Sequence, residues 1–545
     1  MRATIGLLGF ALAFSAVTAG QNANVIVPTQ SGLVRGVIEG DIRVFRGIPF
    51  AAPPVGDLRW RPPAPPIPWT GIRDASRFGN VCPQLDSNNN FIGNEDCLVL
   101  NIYTAANLPQ NARQPVMVFF HGGADVAGST HDAPYGSPPP LATHGVVVVT
   151  AEYRLGALGF FAHPKLAAEG NDSAGNYALM DHIAALAWVQ RNIRALGGDP
   201  QRVMVFGQSA GAANVQVLLA SPATRGLFSG AAVESDVMPL KGTPSLETVE
   251  HAYAPLVALV GCDNNSPAVL TCLRQVSASV VVTNQFLVPT VGPAIPLLAT
   301  YATEPRVLPE DPYLVLQRDG TPVPLLIGST SEEGTGLGLP FDPSLTDAQY
   351  VQAVHADYAF LGPGVPDQIL AVYPASAYEA PFWALVAVDS DFNVTCEVRE
   401  AARVSLGPPN EQKSERDEDE NDHAPVWRYL FTHRIENDPN LNALRAFHTE
   451  ELFFLFGHLE QLGNPYVPTA DELQLSQQVM DYWTRFASKG NPNGPGAFHW
   501  PRYSKHDRIL QLDVAPARLH GYHNPQCDFF GPIIDTFCSE NICTP

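Results

Sequence analysis

The chain has 545 residues, of which 32 are basic and 54 acidic, giving a net charge of −22. Apolar residues make up 45% and charged ones 16%, which provides for a large core and excludes whole-chain disorder. So acidic a chain repels phosphate backbones, which argues against a nucleic-acid partner.

Residues 1–20 read as a secretory signal peptide: Arg2 is a basic start, 5–16 is an apolar run, and Val17-Thr18-Ala19 supplies small residues for cleavage. No later stretch is long and apolar enough to span a bilayer, and the tail 536–545 is too polar for a lipid-anchor signal. Export gives meaning to an even cysteine count (Cys82, Cys97, Cys262, Cys272, Cys396, Cys527, Cys538, Cys543) and to three glycosylation sequons at Asn171, Asn264 and Asn393.

Residues 49–68 are rich in proline and read as an ordered surface loop, with Trp60, Ile67 and Trp69 in and beside it. The continuous apolar runs 116–120 and 146–150 predict strands buried on both faces. Residues 177–195 carry apolar side chains at helical spacing and stop at Gly197-Gly198. A strand at 203–206 then leads into an Ala-rich helix at 210–220, and 325–328 and 426–431 read as later strands. This alternation predicts an α/β fold, a mostly parallel sheet with helices on both faces. A single domain is expected over 21–545, with residues 411–422 a solvated, charge-dense excursion.

The strongest chemical signal is Gly207-Gln208-Ser209-Ala210-Gly211, between a predicted strand and a predicted helix. Glycines on either side of a serine permit a sharp turn that lifts its hydroxyl above the sheet, where the next helix points its N–H groups at developing negative charge. His121-Gly122-Gly123-Ala124 closes the strand 116–120, and small residues there let backbone N–H groups reach a carbonyl oxygen. A serine hydroxyl also needs a base and an orienting acid, in the chain order serine, acid, histidine. Spacing leaves Glu332 and Glu333 open as the acid and His433, His448 and His458 as the base.

Further blocks narrow the choice. They are Phe45-Arg46-Gly47-Ile48-Pro49-Phe50-Ala51, Pro53-Pro54-Val55-Gly56 with Leu58-Arg59, Asn94-Glu95-Asp96-Cys97-Leu98 running on to Tyr103, Tyr153-Arg154-Leu155-Gly156, Trp188-Val189-Gln190, and Gly197-Gly198-Asp199-Pro200. In this order they resemble the type-B carboxylesterase/lipase family, α/β-hydrolases that include cholinesterases and secreted fungal lipases, from about residue 30 to 530. The resemblance implies an α/β-hydrolase fold, Ser209 as nucleophile, Glu333 as acid and His448 as base, with Glu451 behind the histidine. It implies oxyanion donors at the N–H groups of Gly123, Ala124 and Ala210. It also implies the disulfides Cys82–Cys97, Cys262–Cys272 and Cys396–Cys527, leaving Cys538–Cys543 as a local closure. The implied activity is hydrolysis of a small-molecule carboxylic ester with no metal or cofactor.

Three departures from the family pattern stand out. Gln208 replaces the usual Glu before the serine, which removes a negative charge near His448 and disfavours its protonation. Ala124 replaces the third glycine and is followed by Asp125 where an aromatic is usual, so acyl-side contacts should differ. The loop at 83–96 has 14 residues, far shorter than a lipase lid, and besides Leu85 only Phe91 and Ile92 are large and apolar. That is too little for an oil-surface landing face, and the loop lacks the Trp with which cholinesterases hold a quaternary ammonium. The expectation is a secreted esterase. A lipase or sterol esterase, an esterase of phenolic acids, and a non-catalytic adhesion member are the rivals.

Overall fold

The computed structural model describes residues 25–109, 111–236, 242–288, 300–337, 339–408, 423–463 and 466–540. The expected signal peptide, the charged excursion and Cys538–Cys543 lie outside the described residues or side chains.

Eight strands form the centre: β1 (Val99–Ala105), β2 (Gln114–Phe120), β3 (Val147–Ala151), β4 (Gly198–Gln208), β5 (Gly230–Glu234), β6 (Leu325–Thr330), β7 (Val426–Phe431) and β8 (Arg508–Leu512). Their order across the sheet is β1-β3-β2-β4-β5-β6-β7-β8. All neighbours from β3 to β8 run parallel, while β1 is antiparallel to β3. N-terminal strands and Ala517–His520 extend the two edges antiparallel.

The pleat explains why the strand sequences are apolar throughout. Val116, Val118 and Phe120 of β2 and Val203 and Val205 of β4 face one core, whereas Met117, Phe119, Met204 and Phe206 face another. The first core is covered by the helices Tyr177–Asn192 and Ala210–Ala220, the second by Ala470–Lys489. A third cluster, around Tyr350, Tyr373 and Phe530, lies beside the Cys396–Cys527 disulfide. Cys82–Cys97 and Cys262–Cys272 also form as the resemblance implied.

Within the Pro-rich loop, Trp60 is the anchor. It is buried and its Nε1–H donates to Ala157 O (2.8 Å). Trp69 Nε1–H donates to Leu33 O (2.9 Å), but Ile67 is 69% exposed and anchors nothing. No helix among the described residues is long and apolar enough to cross a membrane.

Candidate active site

Strand β4 ends at Gln208 and the helix Ala210–Ala220 begins two residues later, leaving Ser209 to make the turn at φ 58° and ψ −128°. This is a sparsely populated conformation for a residue with a Cβ. A Cβ on Gly207 would collide with the Gly211 carbonyl, and one on Gly211 with the Phe120 carbonyl at the end of β2. Both glycines are therefore required by close approach of backbone. Ser209 N–H donates to Glu234 O on β5 (2.9 Å), and its hydroxyl makes no helix-capping bond, so it stays available to a substrate. Serine at a helix start normally caps; here the turn prevents it.

The loop after β2 lies against this turn. A Cβ on Gly122 would sit 2.9 Å from Ser209 Cβ. Gly123, Ala124 and Asp125 follow with φ of 110°, 53° and 54°. The N–H groups of Val126 and Ala127 donate to Gly123 O (3.1 and 3.0 Å), and Gly156 N–H donates to Asp125 O (2.7 Å). From the short loop closed by Cys82 and Cys97, the Gln84 amide grips both N–H and O of Gly128 (2.8 and 2.9 Å). Among the described residues, no hydrogen bond uses the N–H of Gly123 or Ala124, and the first-turn N–H of Ala210 has no acceptor inside its own helix.

Glu333 follows β6, and His448 precedes the helix Glu450–Phe456. Their loops are joined along the main chain: Glu332 N–H donates to Ala446 O (3.0 Å) and His448 N–H to Thr335 O (2.9 Å). His448 Nδ1 lies 2.5 Å from Glu333 Oε2, and Thr330 N–H donates to Glu333 Oε1 (2.6 Å). A donating Nδ1–H leaves Nε2 as the acceptor, the arrangement a general base needs.

The other candidates have structural partners. Glu332 accepts from Ala446 N–H (3.3 Å) and Ser331 Oγ and faces Arg445. His433 pairs with Asp513 and Glu472, and His458 with Glu460 and Pro138 O.

Ser209 and His448 do not touch through a hydrogen bond among the described residues. Gln208 comes between: its Nε2–H group donates to His448 Nε2 at 3.0 Å. An amide can donate here, which an ionised carboxylate cannot, so the departure seen in the sequence places a donor against the candidate base.

Behind the histidine lies a set of buried carboxyls. Glu451 accepts from Ser235 Oγ (3.2 Å), and burial, with Glu333 and then Glu234 nearby, holds its carboxyl well above the ordinary range. Glu234 accepts from Trp483 Nε1–H (2.6 Å) and is pushed up to about 8 by burial. Both Glu234 and Trp483 were missed in the sequence. Glu234 is the register partner of Gln208 on the next parallel strand, a relation no local motif carries.

With the serine turn at the carboxyl end of a central parallel strand, and the candidate acid and base following at the ends of later strands, the architecture is that of an α/β-hydrolase. The family model described as "Carboxylesterase family" matches residues 23–530, and the chain belongs to that family. It is 33% identical to a pyrethroid hydrolase of Rattus norvegicus, over 93% of this chain and 89% of the relative. It is 35% identical to the fumonisin B1 esterase of Sphingopyxis macrogoltabida, over 88% and 85%. A solved structure of PNB esterase superposes with a TM-score of 0.75 at 30% identity, covering 93% of this chain and 99% of the other. The protein is a carboxylic ester hydrolase.

Proposed function

We propose that the protein is a secreted serine esterase that acts on small, soluble carboxylic esters through a covalent acyl-enzyme. The observation that carries this reading is the Glu333–His448 contact, held by main-chain bonds, across from a serine whose hydroxyl is left uncapped by its own helix.

When an ester enters, the Gln208 amide yields Nε2 to Ser209. The Ser209 oxygen attacks the carbonyl carbon as His448 takes its proton, with Glu333 stabilising the resulting imidazolium. The N–H groups of Gly123, Ala124 and Ala210 receive the oxyanion. Collapse breaks the bond to the alcohol, which leaves with the proton from His448. Water then attacks the acyl-serine through the same base and releases the acid.

The short 83–96 loop supports small soluble esters, and relatives named a pyrethroid hydrolase, a fumonisin B1 esterase and a para-nitrobenzyl esterase support ester hydrolysis itself. A second reading has its own support. Phe91 (37% exposed) and Ile92 (38%) lie beside the helix Ala278–Gln285, which is followed by exposed Phe286 and Leu287. Together these make a larger apolar rim than the loop alone, which favours lipid-like esters. Secretion is read from residues 1–20. Of the sequons, Asn171 is exposed in a left-handed turn, whereas the side-chain amides of Asn264 and Asn393 donate to Ala254 O and Asp389.

The test is hydrolysis of 4-nitrophenyl esters from acetyl to palmitoyl, below and above substrate solubility, beside Ser209→Ala. A short-chain optimum without a rise at the interface is expected. A jump on droplet formation selects the lipid reading, and activity that survives Ser209→Ala overturns the serine mechanism. Expression with residues 1–20 should deliver the protein to the medium.

A further inference from the structure

Asp125, next in sequence to Ala124, is wholly buried, although burial of a carboxylate is expensive and an apolar side chain would fill the same space without that penalty. Its Oδ1 accepts two hydrogen bonds, from Tyr153 Oη–H and Asn214 Nδ2–H, both at 2.9 Å. Asn214 lies on the helix that starts after Ser209, and its own Oδ1 accepts from Tyr301 Oη–H. The Tyr153 hydroxyl also reaches His121 O (2.8 Å), and its ring stacks on the His121 imidazole at 4.5 Å between centroids. Asp125 Oδ2 has no hydrogen-bond partner among the described residues.

These bonds join two elements that must keep register. The loop carries the N–H groups of Gly123 and Ala124 on backbone of positive φ, and the helix carries Ser209 at its start and the N–H of Ala210. An oxyanion site works only when its donors converge within about 0.5 Å of the productive geometry. We infer that Asp125 is a positioning residue for the oxyanion hole, its buried side chain tying the loop with two donors to the helix with the nucleophile and the third. The inference rests on the serine-esterase reading above. It accounts for the aspartate at a position where the family usually has an aromatic: a hydrogen-bonded tether replaces packing.

The experiment first establishes that 4-nitrophenyl acetate hydrolysis is lost in Ser209→Ala, then compares Asp125→Leu, Asp125→Asn and Tyr153→Phe. Asp125→Leu should lower kcat about 30-fold with KM within about threefold, and weaken an oxyanion-forming trifluoromethyl ketone by a similar factor. Asn keeps an oxygen that accepts both bonds, so Asp125→Asn should recover most of that kcat. Tyr153→Phe, which removes one donor, should lie between.

A second readout follows from the charge. Burial raises the Asp125 carboxyl to about 6, so stability present at low pH is lost as pH rises from about 4 through 6. The titratable groups facing it are Tyr153, Tyr301 and His121, the last beside Glu152. Asp125→Asn should therefore melt above the parent at about pH 8, with the gap closing below about pH 4.

Unchanged kcat in Asp125→Leu overturns the proposal, as does an Asp125→Asn as impaired as the leucine variant. If Asp125→Leu does not fold, Tyr153→Phe and Asn214→Ala decide: lower kcat at constant KM supports the tether, and unchanged kcat in both removes it. Activity persisting in Ser209→Ala defeats the serine reading instead, while the melting comparison still reports on the buried carboxylate.

Discussion

In the loops that carry Glu333 and His448, the main chain does the holding. Glu332 N–H bonds Ala446 O, His448 N–H bonds Thr335 O, and Glu332 bridges Phe447 as in a short parallel ladder. The half that carries Ser209 and Gly123 has main-chain bonds too, from Ser209 N–H to Glu234 O and from Gly156 N–H to Asp125 O, but they do not tie its two loops directly to each other. That link is made by glycines in close contact with carbonyls and by buried side chains such as Asp125 and Asn214. Main-chain bonds are indifferent to side-chain identity, so the loops of the proposed acid and base should tolerate change more widely, apart from Glu333, His448 and the side chains that bond the same loops, such as Thr335 and Glu450. The half with the proposed nucleophile depends more on particular residues, and substitutions there should be felt well beyond the serine.

The largest expected effect tests the nucleophile itself. Ser209→Ala should lower kcat by about 10⁴–10⁶-fold while the melting temperature stays close to the parent's; an active variant would break the comparison at its root. Next, Glu333→Gln should cost about 10³–10⁴-fold in kcat, whereas Glu332→Gln, whose main-chain bonds persist, should stay within about threefold. Equal losses in the two would show that side chains hold the acid–base half after all.

A moderate effect is expected on stability. The Glu234 carboxyl titrates at about 8 in the fold, against about 4.3 unfolded. The native state then holds the proton more tightly, so stability present at low pH is lost as pH rises from about 4.3 through 8. Glu234→Gln should melt above the parent at about pH 8 and lose that advantage toward about pH 4. A pH-independent difference would mean that Glu234 is already ionised in its site.

The smallest effect concerns the base. In Gln208→Glu a negative charge replaces the amide that donates to His448, which favours the imidazolium. The acid limb of the kcat/KM profile should move to higher pH. An unmoved limb would place residue 208 outside the base's electrostatic reach.

Much of the fold was readable because its signals are local. The helix Ala210–Ala220 and the strand Val426–Phe431 have the boundaries expected from their apolar runs. Strand β4 is longer than its apolar stretch, running from Gly198 to Gln208, because Gly198 pairs with Gln114 across an irregularity in the ladder. That extension depends on a neighbour distant in sequence. Which side chain of the Pro-rich loop turns inward is likewise decided by a distant partner: Trp60 is buried against Ala157 while Ile67 stays exposed.

By itself the sequence determined the alternation of strand and helix, the serine turn with its two indispensable glycines, and the family resemblance that singled out Glu333 and His448 from their neighbours. These follow from side-chain periodicity and from steric demands within a few residues. Only the tertiary structure decided that Gln208 meets His448, that Glu234 and Glu451 lie buried behind it, and that Asp125 reaches the helix Ala210–Ala220. Each of those relations joins side chains from separate elements. Burial and register set their chemistry, and both arise only when strands distant in the chain come to lie side by side.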